Sequence, residues 1–180
     1  MKRESFSWDK QRLSWDDKFM LQAYVCASRS SCRKIHTGAV IVNLDKRDVA
    51  SGYNGAPAGI ENCLIRGCRK EQYGIEFNDK GKGVCRGTHA ENNAMNTLPR
   101  SDMKGTIMYS VYFPCSSCAK AIADSGIVEV VYDLVYEEAD SLTQEMFLER
   151  GIRLRQYHLN LNKCVKALEI VAGQKDKKRE

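Results

Sequence analysis

The chain has 180 residues, 43% of them hydrophobic, with a formal net charge of +5, enough for one domain whose core removes roughly 70% of the unfolded surface from water. No apolar run approaches the ~20 residues of a membrane span, and the basic start MKRESFSWDK lacks the apolar stretch and small-residue site of a secretory signal. The expectation is a cytoplasmic protein with no membrane partner. The basic excess lies largely in MKR and in the tail GQKDKKRE, not in the stripe that suits a polynucleotide, so nucleic acid is not an expected partner.

With no internal repeat and no linker rich in Pro, Gly or Ser, residues 1–180 read as a single domain, with 1–13 and 173–180 as flexible ends. Ser14 and Asp17 form a capping-box-like start for a helix over about 15–29, with Trp15, Phe19, Gln22, Ala23 and Cys26 on one side. GAVIVN reads as a buried strand and VASGYN as its hairpin partner after the turn LDKRD. Residues 55–87 hold glycines, cysteines and charges without sustained periodicity, and so long a connection is usually functional or held by something else. A helix from Thr88 to about Leu98 stops before Pro99, and GTIMYSVY follows as a strand. A helix over about 115–125 ends at Gly126, VEVVYDLVY is the next strand, and a helix over about 139–150 ends at Gly151. IRLRQYH is the last strand and a helix over about 161–172 closes the chain. Strands alternating with helices predict an α/β domain with helices on both faces of one sheet. The opening hairpin makes that sheet mixed.

Eight cysteines are many for this length, and without a secretory signal metal binding or catalysis is a better reading than disulfides. Cys115 and Cys118 stand three apart at a helix start, after Pro114, so their sulfurs can reach one ion. His89, also at a helix start, is the third candidate ligand. Zinc accepts thiolate and imidazole in tetrahedral geometry, and a catalytic zinc keeps the fourth position for water. Two thiolates already neutralise the ion, so Glu91, two residues after His89, reads as the proton carrier rather than a ligand. Each motif has a plainer reading alone. THAE is also a capping box, and CSSC serves equally as half a structural zinc site or a redox pair. Together, His-x-Glu, a strand and Pro-Cys-x-x-Cys are the signature of zinc-dependent nucleobase deaminases.

On HAENNAM, PCSSCAKAIADSGI, SGYNGAPAGIENC and SRSSCRKIHTGAVIV, the chain resembles the cytidine deaminase superfamily, and more closely the deoxycytidylate (dCMP) deaminases, from about Trp15 to about Arg155. The resemblance implies a three-layer α/β/α fold with a mixed central sheet of about five strands. It implies zinc-dependent hydrolysis of dCMP to dUMP and ammonia, with a zinc-activated water attacking C4. Glu91 would protonate N3 and then the departing amine. Asn54 matches the asparagine that holds the nucleotide beside the metal, and Ser30, Arg29, Asn93 and Tyr132 are candidates for sugar and phosphate contacts. Arg29 equally suits a solvated helix end, and Tyr132 a core position. Such enzymes are commonly hexamers, activated by dCTP with magnesium and inhibited by dTTP. The segment from Gly52 to Gly59, including Tyr53, Asn54 and Gly55, would belong to the regulator site. Two departures are visible: HTGAV replaces the usual VGAV, and Asn92 stands where an apolar residue is common. A deaminase of dCTP or of a 5-substituted dCMP is the near alternative, and a non-catalytic zinc-binding accessory protein the far one.

Six cysteines remain. Cys26 and Cys164 fall on apolar helix faces and read as buried thiols. Cys32, Cys63, Cys68 and Cys85 suggest a second, structural zinc, since four thiolates make a closed tetrahedral site. Some deoxycytidylate deaminases carry an auxiliary zinc with cysteines matching Cys32 and Cys63; Cys68 and Cys85 are added by inference, with His36 as a substitute for one ligand. His36 and His158 otherwise read as structural.

Overall fold

Ser14 closes the expected box at the first long helix: its Oγ accepts the Asp17 N–H at 3.0 Å, and Asp17 Oδ2 accepts the Ser14 N–H at 3.0 Å. The computed structural model describes residues 8–76, 79, 83–136 and 140–174. Of the ends expected to be flexible, 1–7 and 175–180 lie outside the described residues. Trp8–Gln11 instead forms a helical turn, α1, which lies against the last helix.

Helix α2 (Trp15–Ala27) precedes a hairpin of β1 (Gly38–Val42) and β2 (Asp48–Tyr53). Among its described residues, the irregular stretch that follows contains two single-turn helices, α3 (Cys63–Arg66) and α4 (Arg69–Gln72). Helix α5 (Ala90–Met95) is shorter than expected. It ends at Met95 with Asn96 as its C-cap, short of the expected stop at Pro99, and the proline instead caps another turn, α6 (Arg100–Met103). The remainder alternates as read: β3 (Ile107–Tyr112), α7 (Ser116–Ser125), β4 (Glu129–Leu134), α8 (Ser141–Arg150), β5 (Arg153–Gln156) and α9 (Leu161–Gly173). Gly126 and Gly151 end α7 and α8 at φ of +95° and +70°, in the left-handed region that glycine enters without steric cost.

The sheet has the strand order β2-β1-β3-β4-β5. Strand β1 pairs antiparallel with both β2 and β3, while β3, β4 and β5 run parallel, so the mixed five-stranded α/β arrangement is present. Alternate residues feed two cores. On one face Ala39, Ile41, Met108 and Val130 meet α5, α7 and Phe147 of α8. On the other Val40, Val42, Tyr109 and Val131 meet Phe19, Met20, Ala23 and Ala27 of α2. Burial on both sides explains why GAVIV is apolar throughout. Each fully buried large side chain contributes roughly 1.5–3 kcal/mol. The buried stripe of α2 differs from the expected one: Met20 and Ala27 belong to it, whereas Trp15 stacks on Phe19 and stays 47% exposed.

Two glycines let the layers close. A Cβ at Gly38 would lie 2.1 Å from the Ala23 carbonyl oxygen of α2, and one at Gly52 would lie 2.4 Å from the Ala94 nitrogen of α5. Helix α5 therefore rests directly on the end of β2. The crossover helices α7 and α8 join parallel strands and lie on the same face as α5, as crossovers of one hand require. The chain thus gathers three helix starts near the carboxyl ends of β3 and β4, where open α/β sheets hold their ligands.

Candidate metal centre and active site

His89 and Cys115 occupy the N-cap positions of α5 and α7, and neither side chain makes a capping hydrogen bond. Both are turned to another use. His89 Nδ1 lies 3.4 Å from Cys115 Sγ and 3.3 Å from Cys118 Sγ. Among the described residues, these three alone bring candidate ligand atoms within 4.8 Å of one another. The THAE capping box does not form; Thr88 pairs instead with Gly55 across an isolated bridge.

The donor set of one imidazole and two sulfurs suits zinc, and three ligands leave a fourth position open. Exposure is graded across the cluster: His89 is open to solvent, Cys115 half-buried and Cys118 fully buried. Hydrogen bonding from Cys118 and from His89 outweighs burial and holds Cys115 down at about 4, in the range of reactive thiolates. The bond to Cys115, followed by burial, pushes Cys118 up. The bond to Cys115 also raises His89, against burial and the charge of Lys70 on α4.

Glu91 is 5% exposed, and burial pushes its carboxyl up from the ordinary range. His89, Cys115 and Cys118 all act on its carboxyl, so it sits near the sulfurs without joining the ligand cluster. A carboxyl with raised proton affinity beside an electrophilic centre is suited to accept a proton and hand it on.

Residues 13–134 match the family model described as the cytidine and deoxycytidylate deaminase zinc-binding region. The chain belongs to this deaminase family. It is 38% identical over 147 residues to the deoxycytidylate deaminase of Schizosaccharomyces pombe, covering 81% of this chain and 45% of the relative. The chain thus spans about half the length of that relative. It is also 34% identical over 152 residues to ComE operon protein 2 of Bacillus subtilis, covering 83% of this chain and 75% of that protein. The crystal structure of dCMP deaminase from cyanophage S-TIM5 in complex with dCMP and dUMP superposes with a TM-score of 0.62 at 25% identity, over 78% of this chain and 95% of that one.

Within this chain the other candidates are placed unevenly. Asn54 is buried, and its amide is engaged: Oδ1 accepts the Thr37 N–H at 3.0 Å and Nδ2 donates to the Ile35 carbonyl at 2.9 Å. Ser30 Oγ donates to the Asn54 carbonyl at 3.0 Å, and Asn93 Nδ2 donates to the Tyr53 carbonyl at 2.7 Å. These three therefore tie the end of β2 to α5 and to the loop before β1. Arg29 is exposed. Tyr132 lies half-buried on β4, edge-on to Phe113. Gly52 and Gly55 are close-packing positions, against α5 and against Ser31, whereas Gly59 is open. The site aromatic that pattern reading missed is Tyr136. It stacks on Tyr112 at 4.6 Å, and burial, then the charges of Glu91, Cys115 and Cys118, push its hydroxyl up.

The four remaining cysteines gather around Cys63. Burial raises its thiol, and Cys32, Cys68 and Cys85 are close enough for their charges to add to the rise. Cys32 Sγ accepts the Lys34 N–H and Cys85 Sγ the Gly87 N–H, each at 3.4 Å. Their sulfurs are not drawn into a ligand cluster like that at His89. His36 Nε2 meets the Cys32 carbonyl at 3.0 Å, and His158 Nδ1 meets buried Asp133 at 3.2 Å. Cys164 is buried as expected, while Cys26 is half-buried.

Proposed function

We propose that this chain hydrolyses dCMP to dUMP and ammonia. The observation that carries the reading is the convergence of His89, Cys115 and Cys118 beside buried Glu91. Zinc held there would supply Lewis acidity, lowering the pKa of a water to about 7. Glu91 would take one proton from the water that attacks C4 and deliver it to N3, then take the second from the new C4 hydroxyl and hand it to the leaving amine. Water adds its oxygen to carbon and ammonia departs, so atoms balance. The sugar and phosphate would lie along Asn54, Ser30, Arg29, Asn93 and Tyr132, with Tyr136 beside the reacting end.

The test is ammonia release from dCMP, dCTP, deoxycytidine and CMP. We expect dCMP to be the best substrate. Deoxycytidine should show a kcat/KM lower by about 10–100-fold, the equivalent of one lost charged hydrogen bond of roughly 1.5–3 kcal/mol. Equal turnover of deoxycytidine and dCMP would remove the monophosphate assignment, and preference for dCTP would move it to the triphosphate.

The regulatory reading rests on the resemblance: a cytoplasmic homo-hexamer activated by dCTP with magnesium and inhibited by dTTP, through Gly52, Tyr53, Asn54, Gly55 and Gly59. Linkage then requires dCTP to bind more tightly when a substrate analogue fills the active site. A second zinc on Cys32, Cys63, Cys68 and Cys85 rests on the resemblance and on the suitability of four thiolates for a closed site. Metal analysis is expected to give two zinc ions per chain, falling to one in Cys63→Ser and in Cys85→Ser. One zinc in the unaltered protein rejects this second site.

A further inference from the structure

We infer that Asp140 and Thr143, at the start of α8, are positioning residues that hold the Pro114–Cys118 turn in the geometry its metal needs. The inference rests on the reading of His89, Cys115 and Cys118 as a zinc site. Cys115 stands where α7 would ordinarily have a capping serine or aspartate, and its side chain caps nothing. The first N–H groups of a helix need an acceptor from elsewhere. Asp140 supplies one: its Oδ2 accepts the Ser116 N–H at 3.0 Å. Its other oxygen accepts the Leu142 N–H at 3.2 Å and caps α8 itself. One carboxylate thereby joins two helix starts and frees the Cys115 sulfur for the metal.

Thr143 completes the clamp from the same helical turn. It is 0% exposed, and its Oγ1 donates to the Pro114 carbonyl at 3.1 Å. A threonine in a helix commonly bonds back to its own preceding turn; here the hydroxyl is spent on the residue before a metal ligand. The two bonds grip the backbone on either side of Cys115. Groups that orient ligands in this way typically control metal affinity by about 10–100-fold.

The experiment uses the full chain loaded with zinc, and separately with cobalt as a spectroscopic stand-in. Thr143→Val keeps the volume and removes the donor. It is expected to release zinc to a chelator at least about tenfold faster and to shift the thiolate-to-cobalt charge-transfer band. Thr143→Ser, which restores the hydroxyl without the methyl, is expected to return both readings to those of the unaltered protein. Asp140→Asn keeps an acceptor for α8 but not two equivalent oxygens, and is expected to change both readings in the same direction; it decides the matter should Thr143→Val not fold. Unchanged release and spectrum in the variants would overturn the inference, as would Thr143→Ser behaving like Thr143→Val, since restoring the hydroxyl would then not restore the grip on Pro114. Failure of the unaltered protein to take up zinc or cobalt would instead remove the metal reading itself.

Discussion

Glu91→Gln is expected to keep the catalytic zinc and lower kcat by about 10²–10⁴-fold, the usual worth of a positioned proton carrier. The amide has nearly the same shape and can still hydrogen-bond in the buried place beside Cys118. What it lacks is an oxygen that can take up and release a proton. Ground-state binding should therefore change little, and the loss should fall on kcat rather than KM. Metal analysis paired with steady-state kinetics checks both halves. Retention of more than a few per cent of the activity, with zinc in place, would remove Glu91 from proton transfer.

The ligands themselves should fail in two distinguishable ways. Cys118→Ser is expected to lose the catalytic zinc and fall below detectable turnover, because serine offers no thiolate at neutral pH and the position is 0% exposed. His89→Gly should also lose the ion, but His89 opens on solvent, so free imidazole can enter and take its place. Added imidazole is expected to restore zinc content and part of the activity in His89→Gly, whereas added thiol should do neither in Cys118→Ser. Equal rescue of both variants, or of neither, would show that the gradient of exposure does not govern access to the metal.

The parts of this molecule that were legible in advance are those that local pattern specifies. Alternation and continuous apolar runs located all five strands, and glycines at 126 and 151 marked two helix ends, because backbone preference acts within a few residues. The His89, Cys115 and Cys118 cluster was legible because zinc restricts both residue type and spacing. Position across the fold was not legible. Asp140 announces itself in sequence only as a helix cap, and nothing local says that its second oxygen reaches Ser116. Trp15 fits the apolar stripe of α2 by spacing, yet it lies at the helix start, stacked on Phe19 and largely open. The Asn54 amide is engaged by Thr37 and Ile35, partners that only the paired loop could supply. Tyr136 follows β4 by two residues, and its place beside the sulfurs depends on the parallel pairing of β3 with β4.

The ligands also stand on opposite sides of β3. His89 and Cys118 are 29 positions apart, and the strand between them is central in the sheet. An ion bound to both cross-links the chain, forbidding the unfolded ensemble every conformation in which these ends drift apart. For a loop of this length the restriction is worth about 3–4 kcal/mol, if a metal clip acts as a disulfide does. Zinc would then be a fastener as well as a reagent, and the melting temperature would rise with the free-metal concentration. Cellular zinc supply would set how long the protein survives as well as how fast it works.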